Sequence, residues 1–85
     1  DTELLAVRLL DFLRSLKPAD FFARFKLEDI DLEAIDSYEL LNVIGKKRGM
    51  LISGGEIDTE RAAIMLLDEF RSGKLGRITL EMPER

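Results

Sequence analysis

The apolar positions fall into four stretches of helical period. Leu5, Leu9, Phe12, Leu13 and Leu16 recur at spacings that predict one buried stripe on a first helix. Thr2 serves as its N-cap, and Pro18 stops it near Lys17. Arg8, Asp11 and Arg14 lie three apart on the opposite side, where they can pair with one another. Pro18 then suits the first turn of a short second helix through Phe25, anchored by Phe21, Phe22 and Phe25. An aromatic cluster of this kind serves either as base-stacking platform or as core, and a small domain needs it as core. From Leu27 to Ile35 the apolar residues follow neither period, which predicts a loop with one helical turn.

Asp36 and Glu39 form a capping-box start for a third helix, which runs to about Arg48 and buries Leu40, Leu41 and Ile44. Gly49 ends it in the left-handed conformation. Met50-Leu51-Ile52 extends briefly, and Ser53-Gly54-Gly55 reads as a turn. Asp58 caps a fourth helix from Thr59 to about Ser72, with Gly73 as its stop. Its unbroken apolar run from Ala62 to Leu67 predicts a helix surrounded by the others. Beyond it, Lys74 to Glu81 is Gly-broken and reads as an extended tail that docks through Leu75, Ile78 and Leu80. The expected fold is all-α: one small bundle of four to five helices with a short extended C-terminal tail.

Composition narrows the chemistry. The 85 residues contain no Cys and no His, which removes disulfides, thiolate nucleophiles, zinc-finger ligands and any imidazole base. Carboxylate or lysine chemistry, a hard-cation site or no catalysis remains. The acids of the 28–39 segment lack the spacing and the central glycine of a calcium loop. A Walker-type phosphate loop is also missing, because Gly45-Lys46-Lys47 and Gly73-Lys74-Leu75 are not followed by Ser or Thr. No apolar run reaches the length of a membrane span, and the acidic N-terminus is no targeting peptide, so an intracellular, soluble chain is expected. It begins at Asp1 rather than Met, which reads as a piece of something longer.

The net charge of −4 is unevenly spread. Residues 1–45 hold ten acids and five bases, whereas residues 46–85 hold seven acids and eight bases. Lys46-Lys47-Arg48 falls in the last turn of the third helix, where cations complement the helix dipole by about 0.3–1 kcal/mol each. Arg71, Lys74 and Arg77 cluster around the end of the fourth. These six are the candidate contacts to an anionic partner; dipole complementation, solubility and tail docking are the alternative uses of the same residues.

Several motifs together resemble a known family. Lys47-Arg48-Gly49, Gly54-Gly55 with Asp58, Arg61-Ala62-Ala63, and above all Arg71-Ser72-Gly73-Lys74-Leu75-Gly76-Arg77-Ile78-Thr79-Leu80-Glu81 with Pro83 are similar to the C-terminal domain of the ribosome biogenesis GTPase A family, the YlqF-related circularly permuted GTPases. Arg24-Phe25 departs from an Arg-Tyr pair expected in many relatives. The resemblance implies a single C-terminal helical domain, residues 1–85, similar to the RNA-binding ANTAR modules. It implies that GTP and Mg belong to a GTP-binding domain absent from this chain, and that this fragment is itself no enzyme and holds no cofactor or metal. It further implies large-subunit ribosomal RNA and a late precursor particle as partners, no membrane, and a bacterial rather than mitochondrial setting in the cytoplasm. On this reading Lys46, Lys47, Arg48, Arg71, Lys74 and Arg77 touch RNA phosphates. The competing expectation is a protein-interaction module that docks on the parent GTPase domain or a ribosomal protein, with its apolar patch at Met50–Ile52 or on the phenylalanine helix.

Overall fold

The first helix opens on a side-chain cap. Asp1 Oδ1 accepts from the backbone N–H of Glu3 at 2.9 Å and of Leu4 at 3.3 Å, so Asp1, not Thr2, satisfies the free donors of the first turn. The computed structural model describes residues 1–76 and forms four helices there: α1 (Thr2–Leu16), α2 (Ala19–Phe25), α3 (Ser37–Lys47) and α4 (Thr59–Arg71). The all-α bundle expected from the pattern is what forms. Among the described residues the one β-like feature is an antiparallel bridge from Leu51 to Ile57, which closes the 52–55 turn before α4. None of these helices is long and apolar enough to cross a membrane.

α1, α3 and α4 pack against one another, and α2 closes the end of the core with Phe21 and Phe25, whose rings meet edge to face at 5.7 Å. The buried face of α1 is Ala6, Leu10 and Leu13, not the predicted stripe. Of that stripe only Leu13 is buried; Leu5, Phe12 and Leu16 are 57%, 38% and 51% exposed. The doublets Leu4-Leu5, Leu9-Leu10 and Phe12-Leu13 place large apolar groups on two faces about 100° apart, and α3 and α4 cover one of them. α4 likewise is amphipathic rather than surrounded: Ala62, Ala63 and Leu66 are buried while Ile64 is half exposed.

Three local devices set the connections. Arg14 does not pair with Asp11. Its guanidinium donates to the carbonyls of Leu32 and Ile35, the latter at 2.6 Å, and to Ser37 Oγ at 3.2 Å. Asp11 accepts from Ser37 Oγ. The 27–36 loop contains turns rather than a helical segment and is thereby tied to α1. Asp36 and Glu39 form the expected capping box, with 2.8 Å and 3.3 Å bonds. Finally, Ser72–Leu75 is a turn that buries Leu75, so the extended tail expected from Lys74 does not begin there; Arg77 to Glu81 lie outside the described residues.

Candidate nucleic-acid interface

The C-terminal ends of α2 and α3 converge on Phe25 and bring their basic residues to one place. Arg24, Lys26, Lys47 and Arg48 line, with Phe25, a concave site of about 140 Å³. Sequence spacing puts Arg24 and Lys26 some twenty residues from the basic trio; the fold makes them neighbours. Lys26 sits at the C-cap of α2 in the left-handed conformation, φ 56°. Its carbonyl is one of the orphan acceptors of a helix end, and Lys47 Nζ satisfies it at 2.6 Å while reaching Asp29 Oδ1 at 3.2 Å.

Glu69 of α4 supplies the counter-charge beneath this site. Arg24 donates to its carboxylate from Nε at 2.7 Å and from Nη2 at 3.3 Å. Arg48 donates from Nη1 at 3.0 Å and Nη2 at 3.2 Å. The Glu69 side chain is only 10% exposed, against 36% for Arg24 and 28% for Arg48. Burial pushes the Glu69 carboxyl up, but the bonds from Arg24 and Arg48 outweigh it and hold the group below its ordinary value. Arg24 in turn is raised, chiefly by its bond to Glu69 and against desolvation. Arg48 also lies over the Phe25 ring, 4.7 Å from its centroid. A buried carboxylate gripped by two guanidiniums thus fixes α2, α3 and α4 relative to one another.

The six predicted contacts divide accordingly. Lys46 is exposed and makes no side-chain hydrogen bond or ion pair among the described residues. Lys47 lines the basic site and caps α2, while Arg48 lines it and is committed to Glu69 and Phe25. Arg71 lies elsewhere, 73% exposed and paired with Asp68 at 2.6 Å on its own helix. Lys74 is exposed in the turn after α4, and Arg77 lies outside the described residues. Lys47 and Arg48 thus join Arg24 and Lys26, whereas Arg71 stands on a different surface, facing α1. Sequence reasoning missed Arg24 and Lys26 because they fall in a segment dominated by phenylalanine; their place in the last turn and cap of α2 was the available signal. With four cations set against Asp29 and Glu69, the site is net positive on a chain that is net negative. Such a site attracts phosphate oxygens and offers them several donors at once.

No protein-family model matches the chain. It is similar to ribosome biogenesis GTPase A of Bacillus cereus, 39% identical over 93% of this chain and 26% of that protein. The protein of the same name from Priestia megaterium is 36% identical over 92% of this chain and 26% of its own length. That of Bacillus pumilus is 38% identical over 93% of this chain and 27% of its own length. The chain thus spans about a quarter of the length of the curated relatives it matches, a share that fits one C-terminal domain. Identity of 36–39% over more than nine-tenths of the chain bears out its resemblance to the C-terminal domain of the ribosome biogenesis GTPase A family.

Proposed function

We propose that this ANTAR-like helical domain binds large-subunit ribosomal RNA and seats a ribosome-assembly GTPase on its precursor particle late in maturation of the large subunit. In this reading residues 1–85 are the C-terminal domain, the GTP and Mg chemistry belongs to a separate GTP-binding domain, and the protein works in the bacterial cytoplasm. The domain contributes binding, not catalysis. The observation that carries the reading is the convergence of Arg24, Lys26, Lys47 and Arg48 in one concave site, with Lys46 exposed beside Lys47. The names of the relatives, ribosome biogenesis GTPases, support the assembly context.

Within the site the residues have different tasks. Arg24 and Arg48 are held by Glu69 and give a rigid, preorganised edge. Lys26 lines the site and Lys46 lies next to Lys47 outside its lining; both are exposed and make no side-chain hydrogen bond among the described residues, so they are the groups best able to meet a phosphate. Because the whole chain carries −4, affinity for RNA is modest and strongly salt-dependent. The test is binding of a fluorescent large-subunit ribosomal RNA fragment by the chain and by its Lys26→Glu/Lys46→Glu variant. The variant should keep its helical circular dichroism and lose about tenfold or more in affinity at roughly 0.1 M salt. Unchanged affinity in a folded variant refutes the assignment of this site.

A further inference from the structure

The chain has six aromatic side chains, five Phe and one Tyr, with no Trp and no His, and the fold leaves no ring face open in the basic site. Phe21 is fully buried, and Phe25 is 1% exposed with its face covered by the Arg48 guanidinium at 4.7 Å. Phe22 opens instead onto the hollow lined by Lys17, Ile30 and Asp31. Phe12 and Phe70 line the groove between α1 and α4, on a different face of α4 from Glu69. Tyr38 stands next to Asp1 and Glu3, and its hydroxyl donates to Glu3 Oε1 at 3.3 Å. A binder of unpaired nucleotides needs open rings on which successive bases stack. None of the six offers a free face beside Arg24, Lys26, Lys47 or Arg48.

Base edges are served no better. The side-chain amides that read adenine come to one residue, Asn42, which does not line the site, and the chain has no Gln. Guanine is read by an arginine fork, two parallel N–H groups. Arg48 gives its Nη1–Nη2 fork to Glu69, and Arg24 its Nε–Nη2 fork. What each guanidinium keeps are outer N–H groups suited to single bonds with phosphate oxygens. Lys47 is tied to the Lys26 carbonyl and to Asp29, so three of the four cations are held in place by the protein. A fixed set of cations matches a fixed set of phosphates, whereas a flexible strand must first be ordered.

Given RNA as the ligand of the basic site, on which this step rests, we propose that the site takes double-helical RNA by its phosphate backbone and reads no base. An A-form duplex hides its base edges in a deep, narrow major groove, and proteins recognise it by shape and by contacts to phosphates and 2′-hydroxyls. Those are the contacts that two exposed lysines and two held arginines provide. The site accordingly distinguishes paired from unpaired RNA, and not one sequence from another.

The experiment measures fluorescence anisotropy of the full chain with four labelled RNAs: duplexes of two unrelated sequences, a non-pairing single strand of equal phosphate number, and that strand with its bases removed. At roughly 0.1 M salt the duplexes should bind within about threefold of each other and at least about fivefold tighter than the single strand. Removing the bases should change single-strand binding by less than about threefold, where a stacking site loses about fivefold or more per base. Lys26→Glu/Lys46→Glu should weaken duplex binding about tenfold with helical circular dichroism intact. A smaller margin over the single strand, a larger preference between the duplexes, a larger loss on removing the bases, or duplex binding that the double variant leaves unchanged overturns this proposal. The RNA assignment survives any of these as long as the ribosomal RNA fragment still binds and the double variant releases it. Failure to bind any RNA, the ribosomal fragment included, overturns both.

Discussion

Replacing Glu69 with glutamine removes the negative charge on which three helices converge, while keeping the side chain's size. Glutamine retains one acceptor and turns the other oxygen into an NH2 that faces a guanidinium donor. Four hydrogen bonds from Arg24 and Arg48 end on this carboxylate, which is 10% exposed. Breaking a fully buried ion pair costs about 3–5 kcal/mol, and an exposed one about 0–1 kcal/mol. Here the acid is buried, but both guanidiniums keep roughly a third of their surface in water and can be rehydrated. The expected loss is therefore intermediate, about 2 kcal/mol, a melting temperature lower by about 8–16 °C for a domain of this size. Urea and thermal unfolding followed by helical circular dichroism measure it. A loss below about 0.5 kcal/mol at pH 7 would refute the view that this carboxylate clamps the helices.

The pH dependence carries its own sign. The folded-state value of Glu69 lies below its ordinary one, so its stabilisation is complete above the ordinary glutamate range and is lost as pH falls through the lowered folded value. The gap between the native chain and Glu69→Gln should be flat from about pH 8 to about pH 5 and close progressively below about pH 4. A gap that instead widens in acid would contradict the geometry.

Three other outcomes are expected. Gly45→Ala gains about 1 kcal/mol of helix propensity, but the new Cβ would stand 2.8 Å from Ile57 Cγ2 and 3.2 Å from Ala62 Cβ, and overpacking costs about 1–3 kcal/mol. A net loss near 1 kcal/mol in urea unfolding is predicted, and a gain in stability would show that Ile57 yields freely. Asp36→Ala removes the capping-box acceptor at 2.8 Å from Glu39 N–H and should cost about 1 kcal/mol, with the largest rise in amide exchange in the first turn of α3. Glu69→Gln should also bind ribosomal RNA more tightly than the native chain at temperatures where both are folded, because the basic site loses one of its two counter-charges.

Much of this organisation was legible in the residues themselves. Two of the four helices announce their starts by Asp36 and Asp58, and three announce their ends by Pro18, Gly49 and Gly73, because caps and breakers act locally. Which face of α1 is buried was not legible. Leucine doublets give two faces of equal apolarity, and only the positions of α3 and α4 choose Leu10 over Leu9. The basic site was half legible. Lys46-Lys47-Arg48 stands out as a run, whereas Arg24 and Lys26 join it only because α2 and α3 end side by side. Glu69 could not be singled out at all, since a glutamate in an amphipathic helix looks like solvent-facing charge until two arginines close over it. The same folding information turned Arg48 from a free contact into a held one and carried Arg71 to a different surface.

The central claim is that this domain grips ribosomal RNA through phosphates at the basic site. Its most direct test is the affinity of the intact chain for large-subunit ribosomal RNA across a salt series. Three to five phosphate contacts predict that log K falls with log salt at a slope of about −2 to −4.5, and that Lys26→Glu/Lys46→Glu reduces the slope by roughly two contacts. A slope near zero, or a steep slope that the double variant leaves unchanged, would contradict it.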